Sequence, residues 1–378
     1  VLNNNVIFYA AIFQILWRRA SSNDRFSFEK SALLWLVATE EKQEMNVPEK
    51  PKQQDVFHNL TPGRIITLVE KALDRRCTNL FRPLISYINR VYELEAEDGS
   101  GLIAKFYRPG RWSQDGLQDE HDFLLELAGQ EIPVVAPFML REGGSLGSYE
   151  DIHFAVFPKK GGRSFDEYND DQWLELGRLL GRTHNVGSMH LPTDRITMTP
   201  DRSTRQQVDY ILAGSFMPAD MRGQFKEVTD ALINEIRPLF NGTEMIRIHG
   251  DCHFSNLIYR PDESFLIIDF DDMAVGPPVQ DFWMLLPSYR QESRVEIDIF
   301  MEGYETFRDF DQGSLRLIEP LRAMRYIHYT AWCAHQFAED GETRVTADFG
   351  SRQYWQAELG DLADQLDRII DGAAGQGL

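Results

Sequence analysis

The pattern of apolar and polar positions divides the chain into two textures. "TPGRIITLVEKAL" (61–73) carries a Thr cap, Pro in the first turn and apolar residues at helical spacing, which predicts a helix. Two stretches that read as strands follow, "SYINRVYELEAE" (86–97) and "LIAKFYRP" (102–109), joined by the turn "EDGSG". They predict a hairpin whose second strand presents Lys105. "QDEHDFLLELAGQ" (118–130) predicts a helix with Phe123, Leu124 and Leu127 on one face. "VVAPFML" (134–140) and "IHFAVFPK" (152–159) read as further strands, separated by the turn-rich "REGGSLGSYED".

After "FPKKGG" (157–162) helical spacing takes over. Helices are predicted over 169–187 and 218–240. Apolar segments follow at 278–289, 294–310, 317–340 and 354–372, and one short β-pair lies among them. The chain therefore divides into an N-terminal extension (1–59), a sheet-based unit (60–157), a short Gly-containing hinge (158–162) and a mostly helical unit (163–372). The fold class is α+β.

Length and composition agree with two units. At 378 residues the chain exceeds one typical compact core, and 43% hydrophobic with 12% aromatic residues is a globular composition. The formal net charge of −20 excludes a general nucleic-acid binder and disfavours an acidic membrane surface. A local basic cleft remains open to phosphate. Cys77, Cys252 and Cys333 are few and scattered, so neither a disulfide framework nor a CxxC metal site is predicted, and Cys252 reads as a small buried filler. "VIFYAAIFQILW" (6–17) is too short for an ordinary membrane span, and its arginines follow rather than precede it. Met45 directly precedes a polar, Pro-punctuated leader, which makes it the expected native start, with residues 1–44 upstream of it.

The candidate chemistry lies in "IRIHGDCHFSNLIYRPDESFLIIDFDD" (246–272), where carboxylates sit among apolar strand formers and need partners. Asp251 and Asn256 are five apart across a loop, and Asp269 ends the apolar strand "SFLIID" thirteen residues later. A strand–turn–strand hairpin would gather them. An Asn amide oxygen and a carboxylate suit Mg²⁺, which takes its other ligands from waters and phosphates. Asp251 could then receive a proton from a hydroxyl, and with a lysine from the other unit these are the parts of a phosphoryl-transfer site. The rival reading is a metallophosphoesterase, because "GDCH" resembles the GDxH of dinuclear phosphatases. That chemistry needs two metals and more ligands, and no GNH or upstream DxH segment accompanies it.

"HGDCHFSN…IIDFDD" resembles the HGDxxxxN…hhDh motif of the aminoglycoside phosphotransferase and choline kinase superfamily, relatives of the protein kinases. "AKFYRPGRW", "FAVFPKKGGR", "LGRTH", "GPPVQDFWMLL" and "LIEPLRAMR" extend the likeness, in order, over residues 60–370. Together they resemble the bacterial stress-response Ser/Thr protein kinases of that superfamily. The resemblance implies a two-lobed protein-kinase-like fold with ATP as co-substrate and Mg²⁺ between the lobes. It implies Asp251 as catalytic base, Asn256 and Asp269 as metal ligands, and Lys105 on the α/β-phosphates with Glu120 as its ion-pair partner. Ser86 would lie on the loop over ATP, Phe157 to Gly162 would meet adenine, and Asp281 would brace the catalytic loop. Taken by themselves, His249 and His253 read as supports of that loop rather than metal ligands, Asp271 and Asp272 as turn caps rather than a second metal contact, and His328 and Trp332 as core packing rather than lining of an acceptor cleft. Ser/Thr residues of proteins, including its own, are the implied acceptors for a cytoplasmic monomer with no nucleic-acid or membrane partner. A small amino alcohol or aminoglycoside is the alternative acceptor.

The sequence also departs from the protein kinases. "LISYINR" stands where a G-x-G-x-x-G would cover the phosphates, "HGD" replaces HRD, and "IDFDD" replaces DFG. Gly276-Pro277-Pro278 follows too soon for an activation loop, so regulation by phosphorylation there is not expected.

Overall fold

The computed structural model describes residues 56–374 apart from 166, 261–263, 342, 344 and 345. The reading of residues 1–44 as upstream sequence lies outside the described residues. Helix α1 (Pro62–Leu73) starts at Thr61, whose side chain accepts from the Arg64 N–H, and buries Ile65 and Val69 one turn apart. It packs on an antiparallel five-stranded sheet of order β1-β2-β3-β5-β4: Cys77–Leu84, Arg90–Ala96, Gly101–Phe106, Ile152–Pro158 and Gly147–Tyr149. Leu94, Leu102, Phe106, Phe154 and Val156 fill the space between helix and sheet. Helix α2 (Gln114–Gly129) is capped by Ser113 and begins four residues earlier than its apolar face indicates.

Two strand predictions need correction, and two strands were not predicted. Residues 134–140 form no strand: across to other strands they make a bridge from Val134 to Ile267 and a bond from the Phe138 N–H to the Val156 carbonyl, while the Val134 and Leu140 N–H groups bond locally to the Ile132 and Gly144 carbonyls. Pro133 and Pro137 remove the donors a ladder would need. β1 and β4, which the periodicity does not reveal, are the two edges of the sheet. Neither is buried on a whole face, so neither alternates cleanly, and an edge position tolerates Pro83 in β1. The strand predicted from residue 86 begins at Arg90, which frees residues 85–89 as a loop.

In the second lobe α3 (Asp170–Gly187) opens on a capping box between Asn169 and Gln172. Then come α4 (Arg205–Ala213), which the sequence reading passed over, and α5 (Arg222–Ile236). The 278–289 segment folds only a single short helix, α6 (Val279–Trp283). It is followed by α7 (Arg294–Tyr304), α8 (Ile318–Asp340) and α9 (Arg352–Ala374). α3 and α7 meet at near contact: a methyl on Gly177 would lie 2.1 Å from the Phe300 carbonyl oxygen. Among the described residues no helix is long and apolar enough to cross a membrane.

Candidate active site

The acidic segment forms two small ribbons instead of the single hairpin expected. β6 (Ile246–Ile248) pairs antiparallel with β9 (Ala274–Gly276), and β7 (Leu257–Arg260) pairs with β8 (Ser264–Ile267). Nesting the β7–β8 hairpin inside the β6–β9 pair returns the chain to its starting loop. The Ile268 N–H donates to the Asn256 carbonyl at 3.0 Å, which sets Asp269 beside Asn256. Asp269 itself takes a left-handed conformation (φ 62°), from which a 3₁₀ turn (Phe270–Asp272) continues.

The 249–256 loop is held from below. Asp281, fully buried in the first turn of α6, accepts from the His249 N–H at 2.7 Å, the Gly250 N–H at 2.8 Å and His184 Nε2 at 3.2 Å. His249 donates from Nε2 to the Ile268 carbonyl and accepts from the Asp251 N–H on Nδ1, tying the loop to the strand before Asp269. Gly250 has φ +83°, and a Cβ there would stand 2.2 Å from the Asp272 carbonyl oxygen. The glycine of "HGD" is thus the residue that lets the two ribbons close on each other.

A cavity of about 720 Å³ opens between the lobes. Ser86, Lys105, Glu120, Phe157, Asp251, Asn256 and Asp269, the seven site residues expected from sequence, all line it. Lys105, on β3, reaches across to Asp271 Oδ1 at 2.9 Å and Asp269 Oδ1 at 3.1 Å. Burial alone would depress its ammonium, but Asp271, Asp269 and Glu120 raise it well above the ordinary lysine value. Asn256 donates from Nδ2 to the Asp251 carbonyl at 3.0 Å. His253 Nε2 stands 3.5 Å from Asp251 Oδ2.

Several assignments change. Glu120 lies 3.9 Å from Lys105 and is bound more closely by Arg195, whose Nη2 donates to it at 2.9 Å. Burial, with Asp271 and Asp269 nearby, pushes Glu120 up to about 7 against the pull of Lys105 and Arg195. Asp271 is no turn cap: it is buried and takes Lys105, Arg111 and the Asn89 amide at 2.8 Å. Burial opposes its charge, yet Lys105 and Arg111 hold it below the usual carboxylate range. Asp272 pairs with Arg111 at 2.6 Å. The left-handed turn at Asp269 produces this arrangement, because Asp269 and Asp271 then both meet Lys105. His328 and Trp332 line the cleft instead of packing wholly in the core. Burial and the neighbouring Arg325 lower the His328 imidazole to about 4, so it is neutral near pH 7.

Four contributors escaped the sequence reading: Asn89, Arg111, Arg195 and Arg325. Arg195 is fully buried, stacks 4.2 Å over Trp112, and donates to the Gly116 and Asp271 carbonyls at 2.7 Å each. It therefore links α2 to the Asp269–Asp272 turn. Arg325, on α8, places Nη2 2.7 Å from Asp251 Oδ1. Burial works against the Asp251 charge, but Arg325, His253 and His249 hold it well below the ordinary value. A lone arginine in a loop or on a helix carries no sequence mark of such a partner.

A small sheet that supplies a lysine, a helical floor that supplies an Asp–Asn–Asp loop, and a cleft between them define a kinase-like phosphotransferase fold. The amicoumacin kinase hAmiN, solved in complex with AMP-PNP, Ca²⁺ and Ami, superposes with a TM-score of 0.65 at 19% identity, covering 84% of this chain and 96% of its own. A microcompartment-associated aminopropanol kinase gives 0.60 at 18%, covering 83% and 99%. The pattern of the phosphotransferase enzyme family matches residues 81–318. Stress response kinase A of Escherichia coli (strain K12) is 35% identical over 311 residues, which is 82% of this chain and 93% of that protein. Serine/threonine protein kinase RdoA of Salmonella typhimurium is 35% identical over 288 residues, covering 75% and 86%. The chain belongs to the phosphotransferase enzyme family and is a phosphotransferase with a hydroxyl acceptor.

Proposed function

We propose that the enzyme transfers the γ-phosphoryl group of ATP to Ser and Thr hydroxyls of proteins, its own chain included, with Mg²⁺ as cofactor. The observation that carries this reading is the 35% identity across 93% of a protein named stress response kinase A, beside a similar likeness to a named Ser/Thr protein kinase. Those names also support a stress-protective role, which we place in the cytoplasm.

In this reading Lys105 binds the α/β-phosphates, the 85–89 loop with Ser86 covers them, and the backbone from Phe157 to Gly162 meets adenine. Asn256 and Asp269 fit magnesium: both offer hard oxygens, and Asn256 commits its amide nitrogen to the Asp251 carbonyl, leaving Oδ1 for a cation. Among the described residues no three His, Cys, Asp or Glu side chains converge as a metal cage, so the remaining ligands would come from phosphate and water. Bound Mg²⁺ would neutralise charge on the transferring phosphate. The acceptor oxygen forms its bond to the γ-phosphorus, the bond from that phosphorus to the ADP oxygen breaks, and the hydroxyl proton passes to Asp251. A carboxylate held low in pKa is a weak base. Its main task is to orient the hydroxyl, as a loose transition state requires. Arg195 would act as a positioning residue, because it fixes Glu120 and the Asp271 carbonyl together.

Incubation with γ-labelled ATP and Mg²⁺, alone, with a generic protein acceptor and with small alcohols, tests the proposal. Label in protein is expected, and Asp251→Ala should abolish it while sparing nucleotide binding. Label in small alcohols alone would overturn the protein-acceptor reading.

A further inference from the structure

We propose that Arg325 recognises an anionic group on the acceptor, so that the preferred acceptor carries a carboxylate or phosphate beside the hydroxyl it offers. The inference rests on Asp251 as the group that meets the acceptor hydroxyl. It deepens the proposed function by naming the class of substrate.

Five carboxylates line the cleft: Glu120, Asp251, Asp269, Asp271 and Asp272. Asp269 and Asp271 face Lys105, Asp271 and Asp272 face Arg111, and Glu120 is held by Arg195. They belong to the nucleotide side. Asp251 is the remaining carboxylate of the lining, and α8 contributes Arg322, Arg325 and His328 to the lining but no carboxylate. Arg322 is engaged elsewhere, donating to Glu319 at 3.1 Å and to the Ser288 carbonyl at 3.2 Å while lying over Trp283.

Arg325 is different. Its Nη2 is 2.7 Å from Asp251 Oδ1, yet that oxygen accepts no hydrogen bond, and the buried Nε–H has no acceptor. The guanidinium is therefore held next to the base by an ion pair, with its Nε–H unspent. A planar fork of donors suits a carboxylate or phosphate, which it can grip in a bidentate manner. An ammonium group on the acceptor would instead meet a like charge adjacent to Asp251. An acceptor anion taking Arg325 would also free Asp251 for the hydroxyl. The step itself is unchanged: one O–P bond forms, the bond to ADP breaks, and Asp251 takes the proton.

The test compares three peptides in which one Ser is flanked by Asp, Asn or Lys, phosphorylated by the full chain with ATP and Mg²⁺. The Asp peptide should exceed the Asn peptide about tenfold in kcat/KM, as for one charge-assisted contact, with the Lys peptide lowest. Arg325→Gln should bring the Asp/Asn ratio close to one through KM, and Arg325→Lys should restore part of it. Equal rates on Asp and Asn peptides, a preference for Lys, or a ratio that survives Arg325→Gln would each overturn the inference. If no peptide is labelled, the protein-acceptor reading fails, and a hydroxy acid is compared with an amino alcohol of matched length. Arg325-dependent turnover of the hydroxy acid supports the inference. Turnover of the amino alcohol instead, or of neither, overturns it.

Discussion

Replacing Asp281 by Asn tests whether the 249–256 loop is held by a buried carboxylate. Three donors converge on it: Oδ1 takes the Gly250 N–H at 2.8 Å, and Oδ2 takes the His249 N–H at 2.7 Å and His184 Nε2 at 3.2 Å. An amide keeps one oxygen and turns an NH₂ toward the other donor or donors. At least one charge-assisted bond is lost, about 1.5–3 kcal/mol, and a buried N–H is left facing another donor, about 1–3 kcal/mol more. The sum is about 2.5–6 kcal/mol, a large part of a typical domain's stability of about 5–15 kcal/mol. Urea unfolding at pH 7 reads it directly. Steady-state kinetics should show kcat falling far more than the nucleotide KM rises, because His249 and Gly250 lead into Asp251 while Lys105 and the hinge are untouched. An Asp281→Asn protein within about 0.5 kcal/mol of the wild type, the range of a neutral surface substitution, would refute the bracing argument.

Other perturbations separate neighbouring roles. Asp271→Ala leaves Lys105 and Arg111 short of a buried partner and should cost about 3–5 kcal/mol in a urea melt, whereas Asp272→Ala, at a more exposed pair, should cost less than about 1 kcal/mol. Gly250→Ala places a methyl 2.2 Å from the Asp272 carbonyl at φ +83°, so both melting temperature and turnover should fall; an unchanged Tm would contradict the close approach of the ribbons. His121, buried against Tyr107 and Ser145, is pushed down to about 3 by burial, with Lys105 and Arg195 adding to the effect. The unfolded chain binds that proton first, so the stability His121 gives is present above about pH 6.5 and lost as pH falls toward 3, at up to about 1.4 kcal/mol per pH unit. His121→Gln should flatten the acid limb of the pH–stability curve, measured by urea midpoints from pH 7 to 4.

The interior strands were legible because both their faces or one whole face is buried, which writes a pattern into residues 90–96 and 101–106. The edge strands β1 and β4 lack that constraint and left none. The long helices α3, α8 and α9 were legible from periodicity, while α6 spans five residues and Pro287 bars a longer helix through 278–289. The site shows the same division. Asp251, Asn256 and Asp269 stood out because carboxylates and an amide among apolar strand residues need an explanation in any fold. Asp271 did not stand apart from its acidic neighbours, because its role depends on a left-handed residue at Asp269 and on two cations from the other lobe.

The sequence by itself determined which segments bury a face, and it singled out one acidic loop and one lysine of the sheet as the candidate site, which the fold brings to one cavity. Only the tertiary structure decided which of 39 basic and 59 acidic residues meet. Asn89, Arg111, Arg195 and Arg325 come from four separate places in the chain, and the pairing of charges depends on distance in space, which falls off within a few ångströms and has no period along a sequence. Glu120 thereby found Arg195 before Lys105, and Asp251 found Arg325.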